Sequence, residues 1–197
     1  MLHLNKWPTL WKSGFAIKIY SSAYDPIDGQ EFSDIGLAVH KYKYWRLTDK
    51  EKALLEEFIF AEARKSLINF FGLPLPFDCV IAVPPNRSSG QSLPNTIVHR
   101  LSEDSGLNLK DTSSFISKIR NLPSMKSLKS EEQRGEVLRD AYKVNPVTDF
   151  KPQGFLLFDD IIDTGATLRF IARSVRDAFP NIPRYAMTLT ALKKNYE

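Results

Sequence analysis

Cysteine and histidine are nearly missing from this chain: Cys79 is its only thiol among 197 residues, and there are three histidines. One thiol closes no intrachain disulfide and fills no cysteine-rich zinc site, so neither kind of staple supports the fold. Cys79 lies in the apolar run CVIAV, where it reads as a small buried hydrophobe. His3, His40 and His99 stand at no metal-ligand spacing, and no role follows for them. Long apolar runs are lacking too, and the opening MLHLNKWPTLWKSG has neither the apolar core nor the cleavage site of a signal peptide. The expectation is therefore a cytoplasmic protein with no membrane partner. Charge of one sign is not in large excess: 27 Lys and Arg against 23 Asp and Glu leave a net +4. That balance suits a polyanionic ligand or nucleic acid and equally an ordinary basic surface.

What is present is globular. A hydrophobic fraction of 43% with 25% charged residues is ordinary for a folded domain, and the length supports one core with an embellishment. The expected organisation is an N-terminal hairpin or hood over residues 1–47 and an α/β domain over 48–197, forming one compact unit. Residues 15–24 and 32–45 are rich in β-branched and aromatic side chains and flank the turn cluster DPIDGQ, which predicts a β-hairpin. Thr48 and Glu51 form a capping box before a long helix that Gly72 and Pro74 stop.

CVIAV at 79–83 has the signature of a strand buried on both faces. After the loop PPNRSSGQS comes a helix with Pro94 in its first turn and Gly106 as a left-handed C-terminal cap. The stretch from Lys118 to Arg139 carries six Lys or Arg against three Glu and is broken by Pro123 and Gly135, which predicts a lid or a solvated loop. DAYKV returns to strand character. FLLF at 155–158 predicts a second buried strand ending at Asp159 and Asp160, followed by an amphipathic helix and then a third parallel strand, RYAMTLTAL. The alternation predicts a doubly wound, mostly parallel α/β sheet that binds ligand outside the carboxyl ends of its strands.

FLLFDDIIDTGATL is the segment that carries chemistry. A helix start offers unpaired N–H groups and a positive dipole end, Gly165 allows close backbone approach, and Thr164 and Thr167 add hydroxyls; together these suit a phosphate. Asp159 and Asp160 can accept from a vicinal diol and favour a nearby divalent cation. A phosphorylated ribose satisfies both halves. The plainer alternative is that Thr164 or Asp163 caps the helix and the acids are a solvated strand end.

The same string resembles, without gaps, the phosphoribosyl pyrophosphate motif of type I phosphoribosyltransferases: four apolar residues, two acids, two apolar residues and a Thr-Gly-x-Thr loop. The resemblance implies that Asp159 and Asp160 engage the ribose hydroxyls, and magnesium only through the ligand. It also implies that Asp163, Thr164, Gly165, Ala166 and Thr167 cradle the 5-phosphate. Asp163 is then either a cap or a catalytic proton carrier. A wider resemblance over residues 35–192 is to the ComF family, associated with uptake of DNA. It rests on Lys43-Tyr44, VIAVPPNRSSG, the basic loop and Tyr142-Lys143-Val144. It implies that Pro85, Asn86, Arg87 and Ser88 hold the leaving diphosphate and that Arg120, Lys126 and Lys129 belong to a flexible loop closing over it. The sequence departs from the ComF pattern in lacking a four-cysteine zinc module, in having Ser89-Gly90-Gln91-Ser92-Leu93 for Arg-Gly-Phe-Asn-Gln, and in Val137 where Asn is common.

Two functions from different classes follow as expectations. One is a magnesium-dependent phosphoribosyltransferase releasing pyrophosphate; the other is a non-catalytic phosphoribosyl-ligand module that works with nucleic acid or a helicase-like partner. A homodimer is compatible with either. A phosphoacceptor aspartate is a weaker third reading, since TGAT suits phosphate binding better than phosphoryl acceptance.

Overall fold

A computed structural model describes residues 1–4, 9–25, 29–85, 92–119, 141–145 and 150–192, with the backbone alone at 19 and 21–31. Its centre is a six-stranded, mostly parallel sheet. In spatial order the strands are β1 (Leu2–His3), β2 (Ser13–Ile19), β10 (Arg184–Ala191), β9 (Phe155–Ile162), β5 (Cys79–Ala82) and β6 (Lys110–Asp111). Only the β1–β2 pair is antiparallel. Small antiparallel pairs join β3 (Ser21–Asp25) to β4 (Gly29–Phe32) and β7 (Ile116–Lys118) to β8 (Tyr142–Val144). Four α-helices are present among the described residues: α1 (Asp34–Tyr44), α2 (Asp49–Phe71), α3 (Leu93–Glu103) and α4 (Ala166–Ala178). None is long and apolar enough to cross a membrane.

Two cores sandwich the sheet, because successive strand residues face opposite sides. Val80, Ala82, Leu156 and Phe158 pack with α1, α2 and α3, while Cys79, Ile81, Phe155 and Leu157 pack with α4. β5 and β9 are apolar at every one of these positions because both of their faces are covered. The short edge strand β6 is exposed and charged, which discourages pairing with another chain.

The long helix begins as its sequence requires. The Thr48 hydroxyl accepts from the Glu51 amide at 3.3 Å, and the Glu51 carboxylate accepts from the Thr48 amide at 2.8 Å. Gly72 ends it with φ of 76°. The N-terminal hairpin differs from expectation. Its second arm stops at Phe32, and residues 34–44 form α1 instead of a strand. The aromatic and β-branched content of this segment favours a strand, yet Ile35, Ala38, Val39 and Tyr42 recur at helical spacing and face the core. Ser33 caps α1 by accepting from the Gly36 amide at 3.1 Å. The first arm is also divided: β2 runs parallel to β10 inside the main sheet, and only β3 belongs to the hairpin. After α3 the left-handed residue is Asn108, φ 51°, not Gly106, whose amide donates to Asp104.

Candidate functional site

β5 and β9 are neighbours, with Ala82 opposite Phe158 and the Val83 amide donating to the Phe158 carbonyl at 2.8 Å. From β5 the chain passes through α3 on one face to β6 on one side; from β9 it passes through α4 on the other face to β10 on the other side. The two connections therefore diverge from adjacent strands. Their carboxyl ends form a topological switch point, the place where open α/β sheets bind ligands.

Both acids lie at this end of β9. The strand continues through them to Ile162, because β10 extends equally far: Thr188 pairs with Asp159, Ala191 with Ile162, and the Thr190 hydroxyl donates to the Asp160 carbonyl at 3.1 Å. The expected strand end at the carboxylates is thus corrected by four residues' worth of ordering by the neighbouring strand. Alternation places Asp160 on the face shared by α1, α2 and α3, and Asp159 on the face of α4 and β8. Asp160 is buried and accepts from the Lys43 ammonium at 2.9 Å. Asp159 bends back so that its Oδ1 accepts from the Asp160 amide at 2.9 Å.

This arrangement is electrostatically uneven. Burial, then the charge of Asp160, pushes the Asp159 carboxyl well above the usual aspartate range, against the opposing pull of the Asp160 amide and Lys43. A carboxyl pushed toward its neutral form donates as well as accepts. Burial alone would lower the Lys43 ammonium, but the charge and hydrogen bond of Asp160 outweigh it and hold lysine above its usual range. On the other face, the Tyr142 hydroxyl is raised by burial and then by the charge of Asp159.

The loop after β9 leads into α4 through Gly165, the N-cap residue, which is left-handed at φ 71° and ψ 7°. Glycine meets no Cβ penalty in this conformation, and it brings no capping side chain. Neither Asp163 nor Thr164 is the N-cap residue itself, but the Thr164 hydroxyl accepts from the Ala166 amide in the first turn at the long distance of 3.4 Å, which keeps part of the capping alternative. Leu168, Ile171, Ala172 and Val175 bury one stripe of α4 and fix its axis against the sheet.

Lys43 reaches Asp160 because α1 lies close against the end of β2. A Cβ on Gly36 would stand 2.1 Å from the Tyr20 carbonyl oxygen, so the approach requires glycine. The same helix carries a group of rings that spacing did not reveal. The Tyr20 hydroxyl and His40 Nδ1 are 2.8 Å apart, and the His40 ring lies 4.6 Å from Phe32 and 5.0 Å from Tyr44. Burial, then Tyr44 and Asp160, pushes the Tyr20 phenol up to about 12, which places this cluster within electrostatic reach of the acids. Tyr44 is 59% exposed and presents an open ring.

Of the sites expected from sequence, Asp159, Asp160, Asp163, Thr164, Gly165, Ala166, Thr167 and Lys43 come together around the end of β9. Pro85 follows the end of β5, whereas Asn86, Arg87 and Ser88 lie outside the described residues, as do Arg120, Lys126 and Lys129. Cys79 is buried, and burial raises its thiol to about 12, consistent with a packing role. No group of three or more His, Cys, Asp or Glu able to hold a metal occurs among the described residues. Asp160 Oδ2 is engaged by Lys43 and Asp159 Oδ1 by the Asp160 amide, so magnesium here would be held through the oxygens of a bound ligand and not by these carboxylates directly. No protein-family model and no curated protein matches the chain.

Proposed function

We propose that this chain has the type I phosphoribosyltransferase fold, binds phosphoribosyl pyrophosphate, and transfers its phosphoribosyl group with release of pyrophosphate. The observation that carries this reading is the meeting, at one end of β9, of the Asp159–Asp160 pair with a helix whose first turn opens on a left-handed Gly165. The acids supply partners for a vicinal diol, and the backbone N–H groups of the helix start supply a phosphate cradle one loop away. Their succession along a single strand, loop and helix suits a ligand that carries hydroxyls and a terminal phosphate on one ribose.

Transfer from such a ligand passes through an oxocarbenium-like state at the anomeric carbon, so the protein contributes orientation and charge stabilisation. Asp159 and Asp160 hold the ribose hydroxyls, the loop from Asp163 to Thr167 anchors the 5-phosphate, and Asp163 handles a proton on the acceptor. Magnesium, when bound with the ligand, supplies neutralisation of the departing diphosphate. The exposed ring of Tyr44, next in sequence to Lys43, offers a face on which a planar acceptor can stack, which favours transfer over simple sensing.

Calorimetry with phosphoribosyl pyrophosphate and magnesium tests binding, and pyrophosphate release across purine, pyrimidine and pyridine acceptors tests transfer. The double variant Asp159→Asn with Asp160→Asn is expected to fold and to lose about 2 kcal/mol or more of binding energy, the value of charged hydrogen bonds. A folded double variant that binds as tightly as the parent would remove the acids from the ribose site. Binding without release for any acceptor would make the chain a ligand-binding module.

A further inference from the structure

We infer that Lys43 is the resident cation of this site and contacts the diphosphate end of the ligand, an inference that rests on the phosphoribosyl reading above. Lys43 lies 117 residues from Asp160 in sequence, yet its ammonium stands 2.9 Å from Asp160 Oδ2. Its side chain is 33% exposed while that of Asp160 is 12% exposed, so the pair sits at a boundary with the lysine toward solvent. An ammonium carries three donors. Asp160 takes one, which holds the group in place and leaves others directed away from the carboxylate.

Position decides which part of the ligand those donors meet. Gly165 and α4 lie on one face of the sheet, whereas Lys43 arrives from α1 on the opposite face. With the ribose hydroxyls on the acid pair and the 5-phosphate at Gly165, the group reached from the α1 side is the substituent at the other end of the sugar. α1 is anchored by the Ser33 cap and by Ile35, Ala38 and Val39 in the core, so the lysine is presented from a fixed support. A fixed cation at this place carries part of the neutralisation that a divalent ion otherwise supplies.

The test compares inorganic pyrophosphate and ribose 5-phosphate as separate calorimetric probes, each with and without magnesium, on the parent, Lys43→Gln and Lys43→Arg. Glutamine keeps a hydrogen bond to Asp160 without the charge and guards against unfolding from an unpaired buried carboxylate; thermal melting verifies each fold. Lys43→Gln is expected to weaken pyrophosphate about tenfold in the absence of magnesium, with part of the loss regained when magnesium is added. Ribose 5-phosphate affinity should stay within twofold, and Lys43→Arg should restore pyrophosphate binding. Equal pyrophosphate affinity in the parent and a folded Lys43→Gln would reduce Lys43 to a structural ion pair while leaving the phosphoribosyl reading intact. If the parent binds neither probe, that reading fails and this inference goes with it.

Discussion

α3 and α4 open beside adjacent strands, β5 and β9, and they open in opposite ways. At α3 the Ser92 hydroxyl accepts from the Asn95 amide at 3.3 Å and Pro94 removes one orphan donor, so this helix start satisfies itself from its own sequence. At α4 the N-cap is Gly165, with no capping side chain and a left-handed backbone. The first arrangement is what a helix needs for stability. The second forgoes roughly a few tenths of a kcal/mol of capping relative to serine, and the hydroxyl beside it, that of Thr164, meets the Ala166 amide only at 3.4 Å. The weaker cap stands at the end of the strand that carries Asp159 and Asp160.

The sharpest way to break this contrast is Gly165→Ala. A side chain in the left-handed region costs about 1 to 2 kcal/mol of stability, and relief of that strain turns the N–H groups of the first turn. Ribose 5-phosphate affinity measured by calorimetry is expected to fall at least tenfold. A folded Gly165→Ala protein with parental affinity would show that the open end of α4 is not the phosphate cradle.

The contrast also explains what could be read from the sequence. β5, α2, β9, α4 and β10 were legible because each has an unbroken apolar pattern and local punctuation, such as the Thr48–Glu51 box. The acids and the loop from Asp163 to Thr167 could be grouped as one candidate site because they are contiguous. α1 was not, since its Tyr and Val residues carry strand propensity and only their spacing reports the helix. Nor could sequence place Tyr20 against His40, or Lys43 against Asp160, since these contacts depend on how α1 packs across the sheet. The reach of β9 beyond the acids is set by β10, a tertiary partner with no local signal.

Asp159 gives the next largest effect. Its folded carboxyl titrates above its unfolded value, so between the ordinary aspartate range and the raised one the folded state holds more protons than the unfolded state. Stability of the parent therefore falls as pH rises through that window. Asp159→Asn removes the titration. Denaturant melts at acidic and neutral pH should show the variant gaining on the parent as pH increases, while ligand binding is weakened. A parallel pair of stability curves would mean that Asp159 is not the strained member of the acid pair.

The smallest expected effect lies at the other helix, and it makes the comparison complete. Ser92→Ala deletes the acceptor for the Asn95 amide but leaves Pro94 and the buried stripe Leu93, Ile97, Val98 and Leu101 in place. The loss should therefore be that of one N-cap, about 1 kcal/mol, or about 2 to 4 °C in melting temperature for a protein of this size. Because the Ser92 hydroxyl is committed to its own helix, affinity for inorganic pyrophosphate should remain within twofold of the parent. The opposite pattern, unchanged melting with pyrophosphate binding weakened tenfold, would mean that Ser92 serves a ligand and not a helix. Self-capping would then no longer distinguish the two helix starts.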